Sequence, residues 1–285
     1  MLATNVQTTD REIVTRTRGH KRGPIARLVS PSDLGELMKP FVFLDHFIFT
    51  GREAPMSMDL LWHPHSGIAT VTVVMEGSIQ YAETTGKSGV VQAGGVEWMR
   101  AGNGVWHTGA AGREPVRGFQ LWVALPPELE NGPTASHYAM PDEIPTVGPA
   151  RVILGSYRGA TSPIAAPPMT YLAVDLKAGE RWSYQPAREH DVAWVAVDRG
   201  TLRTPAPVTA GEVAIFEESH GGDPIHLAAE GDTRFVIGSA AKHQHELALG
   251  NYSVHTSLEA LLRGEAEIRR IGQRLLADGT LQPLT

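Results

Sequence analysis

LWHPHSGIATVTVVMEGSI, running from Leu61 to Ile79, is the stretch of this chain that decides its fold. Two histidines separated by one residue lead into a segment where threonine and valine alternate, Thr70 to Val73. Such alternation predicts a half-buried β-strand, and residues i and i+2 of a strand project from one face. We therefore expect His63 and His65 to point together into the interior of a β-structure.

Short β-rich segments continue along the chain between turns that contain glycine and proline. The predicted strands fall within residues 70–83, 88–99, 116–126, 151–159, 169–179, 191–203, 211–216 and 234–241. Many short strands without intervening helices are typical of antiparallel barrels and sandwiches. The first half also echoes in the second, since EGSI is matched by RGTL and AGGVEW by AGEVAI. We predict two copies of one β-barrel unit.

The boundaries between these units follow from composition. Residues 126–149 are rich in proline and polar side chains, which predicts a linker between two β domains. Helical spacing appears only near the C-terminus, where Thr256 and Glu259 form a candidate capping box and Gly264 interrupts the pattern. The predicted segments are a first barrel over residues 1–140, a second barrel over 141–255 and a helical segment over 256–285.

Composition excludes several classes of function. The 285 residues carry a net charge of −6, which argues against a general grip on nucleic-acid phosphates. No apolar run is long enough for a membrane span, and the polar start of the chain does not resemble a secretory signal. Cysteine is absent, which rules out disulfides and thiolate ligands and makes the cytoplasm the expected location.

A third histidine can join the first two. His107 follows a Gly-Asn-Gly turn, and a hairpin that folds residues 88–99 and 105–108 back beside 63–75 would bring it to the pair. Three neutral imidazoles form a facial ligand set for Fe(II), Mn, Ni, Cu or Zn. The alternative is that His63 and His65 are two half-exposed polar residues with no ligand.

Other candidate residues have simpler interpretations. Ser66 has no histidine or acidic partner at a readable spacing, so no hydrolase signature is predicted. His243 and His245 form a second His-x-His pair after the last predicted strand, where a surface or interdomain role is expected. Four tryptophans in the first half are expected mainly to pack in the barrel, and alternation should turn Trp106 away from its neighbour His107.

Four segments in the first half are similar to the pirin family. These are MKPFVFLDHF (38–47), WHPHSGIATVTVVMEGSIQY (62–81), GVEWMRAGNGVWHTG (95–109) and FQLWVALP (119–126). The resemblance implies an all-β bicupin, with two small antiparallel jelly-roll barrels and terminal segments that cross between them. It also implies one metal ion, typically Fe(II), in the first barrel and none in the second. Some members resemble quercetin dioxygenases, and others act as transcriptional cofactors through protein contacts.

The resemblance assigns His63, His65 and His107 as the three histidine ligands, but this chain lacks the usual carboxylate. The glutamate of the family corresponds to Gly109, and the position that other cupins use corresponds to Ala69. Glu97, on the neighbouring predicted strand, is a candidate replacement and the weak candidate for a catalytic base, although we expect its side chain to face solvent. Gln120 is a candidate polar residue of the cavity wall.

Two functions follow from these features. The first is a metal-dependent dioxygenase of the quercetinase type, with a small aromatic substrate and O₂ at a three-histidine centre. The alternative is a non-enzymatic pirin-like binding or regulatory protein with a weakened or lost metal site and a protein partner. Direct nucleic-acid binding and membrane association are not expected.

Overall fold

The computed structural model of the chain describes residues 11–51, 59–112 and 114–281. The first ten residues, which begin the segment predicted not to be a secretory signal, lie outside the described residues. None of the helices in the described part combines the length and apolar character that a membrane span needs.

The chain forms two compact units, each of which combines distant segments. The histidine unit comprises Gly19–Pro145, Pro163–Pro167 and His243–Thr285, and the filled unit comprises Met1–Arg18, Thr146–Ser162 and Pro168–Lys242. The sequence prediction instead divided the chain at residues 140 and 255. Two segments account for the difference: residues 11–18 belong to the unit formed mainly by the second half of the chain, and residues 243–281 belong to the unit formed mainly by the first half.

The histidine unit contains a seven-stranded antiparallel sheet, a four-stranded antiparallel sheet and a hairpin. Numbered in chain order, the seven strands lie across the sheet as β12 (Ala135–Ala139), β9 (Val96–Arg100), β6 (Ile68–Glu76), β11 (Val116–Ala124), β4 (Phe41–Phe49), β3 (Ile25–Val29) and β2 (His20–Arg22). The smaller sheet has the order β5 (Asp59–His65), β10 (Val105–Ala111), β7 (Ser78–Glu83) and β8 (Ser88–Gln92). The hairpin joins β25 (Ala248–Gly250) to β26 (Ser253–His255).

The filled unit repeats this plan. Its seven-stranded sheet has the order β1 (Ile13–Thr17), β22 (Val213–Phe216), β19 (Val192–Arg199), β24 (Thr233–Ala240), β17 (Met169–Leu176), β14 (Ala150–Leu154) and β13 (Thr146–Val147). Its four-stranded sheet has the order β18 (Arg181–Tyr184), β23 (Ile225–Ala229), β20 (Thr201–Arg203) and β21 (Pro207–Thr209), and β15 (Ser156–Tyr157) pairs with β16 (Ala160–Thr161). The all-β prediction is confirmed. In each unit the two sheets are hydrogen-bonded separately, as in a jelly roll, and do not close into one barrel.

Within the described residues, three helices accompany the strands: α1 (Gly35–Met38), α2 (Pro127–Glu130) and α3 (Leu258–Ala277). Helix α3 lies within the predicted helical segment, but its N-cap is Ser257, whose side chain accepts a hydrogen bond from the Ala260 amide. The predicted cap residue Thr256 instead donates to Glu130. Gly264 does not interrupt the helix. It is buried, and a close approach to neighbouring side chains explains why a glycine stands there.

The segment predicted as a linker, residues 126–149, is largely structured. It contains α2 and also β12, which pairs with β9 at the edge of the larger sheet of the histidine unit. The proline and polar content concealed this strand, because an edge strand needs neither continuous apolar residues nor a full set of paired amides.

Candidate metal centre

Two neighbouring strands bring the three predicted histidines together. His63 and His65 lie on β5, two residues apart, and β5 pairs with β10 so that His63 stands opposite His107. The prediction that folding of the chain brings His107 to the His-x-His pair is confirmed.

The ring nitrogens of these histidines converge on one point. One nitrogen from each lies within 4.8 Å of the others, and Nε2 of His63 is 2.9 Å from Nε2 of His107. Two neutral imidazoles in such contact must either share a proton or present lone pairs to a common cation. The convergence suits a facial three-nitrogen ligand set.

The other nitrogen of each ring has a fixed partner. Nδ1 of His63 is 2.7 Å from the Leu61 carbonyl, and Nδ1 of His65 is 3.0 Å from the Tyr252 carbonyl. Nδ1 of His107 lies 3.7 Å from a carboxylate oxygen of Glu97. A carbonyl can only accept, so His63 and His65 carry their hydrogen on Nδ1 and keep the Nε2 lone pair for the centre.

Burial keeps two of these rings neutral. Loss of solvent, together with the neighbouring His107, lowers the pKa of His63 to about 4. The same two causes hold the pKa of His65 well below its ordinary value. Neutral imidazole is the form that binds a metal ion, so at neutral pH no proton has to leave these two ligands first.

One atom of the cluster lacks a partner within the described part of the chain. Nε2 of His65 is completely buried there and makes no hydrogen bond. An unpaired buried nitrogen of this kind is costly unless something else occupies its lone pair. A cation between the three rings would satisfy it, so the side chains present fit a divalent metal ion.

Glu97 does not face solvent, and that expectation is wrong. Only 6% of the residue is exposed, and its carboxylate accepts hydrogen bonds from Thr72 Oγ1 and, at 3.5 Å, from the hydroxyl of Tyr138 on β12. Burial by itself would raise the pKa of Glu97, but the neighbouring His107 ring and the hydrogen bond from Thr72 outweigh it and lower the pKa. A buried, ionised carboxylate thus stands on the outer side of His107.

Glu97 begins a row of polar side chains that crosses the larger sheet. In register on successive strands, Glu97 pairs with Thr72, Thr72 with Gln120, Gln120 with Asp45 and Asp45 with Arg27. Arg27 closes the row with a two-pronged ion pair to Asp45, at 2.7 and 3.0 Å. We call these five residues the polar row. It leads away from the histidines, from buried Glu97 to half-exposed Arg27.

The polar row forms part of the wall of a cavity of about 640 Å³, which also contains His63 and His107. The rest of the wall is mainly apolar and aromatic. Phe43 and Trp122 stack there with ring centres 4.0 Å apart, so Trp122, which was expected mainly to pack in the barrel, also borders the cavity. Gln120 is a wall residue, as its candidacy suggested. The size and the mixture of aromatic wall and few polar groups suit a small organic ligand.

The remaining sequence expectations have mixed outcomes. Trp62 and Trp106 also border the cavity, whereas Trp98 is buried in the core. The Trp106 indole donates to the Ile268 carbonyl of α3 and so turns away from His107, as alternation predicts. Nε2 of His243 lies 3.4 Å from the Leu125 carbonyl oxygen, and the ring centres of His243 and His245 are 5.4 Å apart.

The family comparisons agree with this geometry. The family model described as Pirin matches residues 24–123. A pirin-like protein of Caulobacter vibrioides is 31% identical over 216 residues, which cover 71% of this chain and 75% of the relative. This chain belongs to the pirin family. A putative quercetin 2,3-dioxygenase of Pseudomonas aeruginosa is 30% identical and is aligned over 75% of this chain and 79% of its own length.

The solved structures show that the pirin fold extends over nearly the whole chain. A quercetin 2,3-dioxygenase from Acinetobacter baumannii superposes with a TM-score of 0.82 at 22% identity, covering 92% of this chain and 98% of the other. At that identity the likeness concerns the fold alone.

The departure from the pirin pattern is visible in the structure. Gly109 lies on β10 two residues beyond His107 and borders the cavity without offering a ligand. Ala69 is fully buried on β6 and is not part of the cavity wall. Within the described part of the chain, the carboxylate beside the histidines is that of Glu97, which faces Nδ1 of His107 and not the point where the Nε2 atoms meet. This pirin therefore keeps a carboxylate beside the centre, but in an outer position.

Proposed function

We propose that His63, His65 and His107 hold one divalent metal ion, Fe(II) in the working protein, and that this pirin is a dioxygenase for a small aromatic substrate. The observation that supports it most strongly is the buried, unpaired Nε2 of His65 among three converging rings. A metal ion held there would supply a Lewis-acidic and redox-active centre with positions open to substrate and O₂.

The wall of the cavity suits an elongated aromatic substrate. Adjacent strands are about 4.8 Å apart, so the three steps from Glu97 to Asp45 span about 14 Å. Along this length the ligand would meet hydrogen-bonding groups at one edge, while the stacked rings of Phe43 and Trp122 offer an aromatic surface. A polyhydroxylated aromatic offers both an aromatic ring system and hydrogen-bonding groups. Quercetin is one example, and it appears in the name of the relative from Pseudomonas aeruginosa, a putative quercetin 2,3-dioxygenase.

Glu97 has two parts to play in this proposal. Its carboxylate orients His107 through Nδ1, as the outer carboxylates of many metal sites do, and its charge offsets that of the cation. It is also the carboxylate of the cavity wall nearest the histidines and thus our candidate acceptor for a phenolic proton of the substrate. The hydroxyls of Thr72 and Tyr138 hold it in place for both.

The test is oxygen uptake. Protein purified without a histidine tag and loaded anaerobically with Fe(II) should consume O₂ when quercetin is added, and His107→Ala prepared in the same way should not. Retention of uptake by the His107→Ala variant, or by metal-stripped wild type, would contradict the proposal. Parallel trials with Mn(II), Ni(II) and Co(II) would establish which ion supports the activity.

A second candidate function has its own support. Gly109 and Ala69 leave the centre without a carboxylate ligand, which weakens affinity for a divalent ion. A pirin with a lost metal site would bind a small ligand or a protein partner without turnover. Wild type that binds quercetin but takes up no metal and no O₂ would favour this alternative.

A further inference from the structure

Directly beside the metal centre lies a second polar cluster that the proposed chemistry does not use. Ser66, the residue after His65, has its hydroxyl 3.0 Å from Nε2 of His255 and donates to the Ser253 hydroxyl at 2.9 Å. Nδ1 of His255 is 3.3 Å from Glu130, whose carboxylate also accepts two hydrogen bonds from Thr256. We call these five residues the serine network.

Sequence spacing does not predict this arrangement, because the histidine and the glutamate that reach Ser66 are distant from it in the chain. A serine, a histidine and a glutamate in series have the composition of a hydrolytic triad. Ser66 is nevertheless fully buried. Helix α3 covers it so closely that a Cβ on Gly264 would lie 2.5 Å from the Ser66 hydroxyl and 2.6 Å from Nε2 of His255. With no room for a substrate, the network requires another role.

The network fastens the C-terminal hairpin to the strand that carries His65. Ser66 and Ser253 form a parallel bridge, and the Val254 amide donates to the Ser66 carbonyl at 3.3 Å. One residue before this bridge, the Tyr252 carbonyl accepts from Nδ1 of His65. The side-chain contacts of Ser66 therefore fix the position of the same hairpin whose carbonyl sets the orientation and tautomer of a metal ligand.

The hairpin turn shows that this position is held against a local cost. Tyr252 adopts φ +62°, a left-handed conformation that is unfavourable for a residue with a Cβ. Such conformations persist where the surroundings over-determine the backbone. Here the surroundings are the serine network on one side and His65 on the other, and the strained residue is the one whose carbonyl meets the imidazole.

We infer that the serine network is a positioning device for the metal centre, which keeps His65 in the Nδ1–H tautomer with Nε2 directed at the ion. The inference rests on the proposed metal site. It concerns positioning residues, because none of the five touches the centre itself. It also gives the C-terminal segment of the chain, residues 243–281, a part in the function of the histidine unit.

The filled unit supplies a matched control. Ser239 is equally buried, and its hydroxyl lies 2.7 Å from Nδ1 of His190 and 2.6 Å from the Tyr184 hydroxyl. Ser66→Ala and Ser239→Ala therefore each remove one buried hydroxyl from a histidine and a second hydroxyl. We expect both variants to lower the unfolding temperature, since each leaves buried polar groups unpaired.

The decisive readout is the tautomer of His65 in the metal-free protein, measured by ¹⁵N–¹H correlation on histidine-labelled samples. Wild type and Ser239→Ala should show a single Nδ1–H form for His65, whereas Ser66→Ala should show a mixture. Ser253→Ala, which removes only the second hydroxyl, should shift the spectrum in the same direction and keeps the test open if Ser66→Ala does not fold. An unchanged Nδ1–H spectrum in a folded variant of either serine would overturn the inference.

Co(II) titration separates this inference from the proposed metal site. Ser66→Ala should bind Co(II) about 10- to 100-fold more weakly than wild type, with an altered visible spectrum, while Ser239→Ala binds normally. Normal Co(II) affinity in Ser66→Ala would overturn the positioning role. Failure of wild type itself to bind Co(II) would contradict the proposed function, and the tautomer measurement would still decide whether Ser66 orients His65.

Discussion

The two compact units share one strand order but carry opposite chemistry at equivalent positions. In the filled unit, the register that corresponds to the polar row pairs Ala214 with Val195, Val195 with Ile237, Ile237 with Leu172 and Leu172 with Val152. All five belong to one buried hydrophobic cluster. We call them the apolar row. Five aliphatic side chains thus occupy the positions that Glu97, Thr72, Gln120, Asp45 and Arg27 occupy in the histidine unit.

This difference shows how one fold can serve as a container or as a solid core. A seven-stranded sheet with an aliphatic row buries that row against large side chains such as Trp182 and Phe235. A polar row of the same geometry cannot be buried without partners, so it lies beside a cavity, with a hydrogen bond at the Glu97 end and an ion pair at the Arg27 end. The site is therefore created by side-chain polarity on an unchanged backbone plan.

Loss of a histidine should affect metal affinity strongly in the histidine unit and not at all in the filled unit. His107→Ala removes one of three ligands and should lower affinity for a divalent metal by at least about 1000-fold, more than loss of an outer partner costs. His190→Ala, which removes a buried histidine from the filled unit, should leave affinity unchanged. Isothermal titration with Co(II) checks both, and equal losses in the two variants would contradict the assignment of the site to one unit.

Ile237 and Gln120 are the central residues of the apolar row and the polar row. Exchanging them should strongly destabilise the protein only when the polar side chain enters the apolar row. Ile237→Gln gives up a buried aliphatic side chain and buries an unpaired amide, so the free energy of unfolding should fall by about 3 kcal/mol. Residue 120 borders the cavity, so Gln120→Ile should change the free energy of unfolding by less than about 1 kcal/mol. Urea denaturation measures both changes. Equal destabilisation by the two would mean that the rows do not differ in packing.

Alanine stands at the equivalent position of the filled unit, Ala214. Replacing Glu97 by alanine should therefore weaken metal binding. Glu97→Ala removes the outer carboxylate of His107, and metal affinity should fall by about 10- to 100-fold. The control is Glu212→Ala in the filled unit, because Glu212 also accepts from a threonine hydroxyl, that of Thr209, at 2.9 Å. Metal titration of both variants is the measurement, and wild-type affinity in Glu97→Ala would remove Glu97 from the site.

Restoring the missing carboxylate should act in the opposite direction. Gly109→Glu places a carboxylate two residues after His107, on the same face of β10, at the position where the family has its fourth ligand. We expect about 10-fold tighter binding of Fe(II) or Co(II), since a carboxylate adds a bond and neutralises one charge. Unchanged affinity would show that residue 109 does not reach the ion in this chain.

The smallest effect is expected from exchanging one hydroxyl and one methyl group. Thr72→Val removes the hydrogen bond to Glu97. Val195→Thr, at the equivalent position of the filled unit, places a hydroxyl in a buried apolar cluster. Each should lower the free energy of unfolding by about 1 kcal/mol, but only Thr72→Val should also weaken metal binding, by a few-fold. Thermal unfolding and Co(II) titration of the pair check this, and a metal effect in Val195→Thr would argue against it.

The cluster of three histidines could be predicted from the sequence, because its signal is local. The spacing of His63 and His65 fixes a common face, and the family motif supplies His107. Glu97 could not be placed in the same way. Its strand is buried on both faces, since Val96, Trp98 and Met99 are buried as well, so alternation does not show which side faces the interior.

The serine network could not be predicted because its members are distant in sequence. Ser66 and His255 are 189 residues apart, and Glu130 reaches them from a helix inside the segment predicted as a linker. Only the return of the C-terminal segment to the histidine unit brings them together. The resemblance implied that the terminal segments cross, but it did not say which side chains would meet.

We propose that three imidazoles and an outer carboxylate suffice to hold one metal ion. Elemental analysis of untagged wild-type protein, purified without chelator and reconstituted anaerobically with Fe(II), tests it most directly. We predict close to one equivalent of metal per chain in wild type and none in His107→Ala. Metal-free wild type after reconstitution, or equal metal content in the two proteins, would contradict the claim.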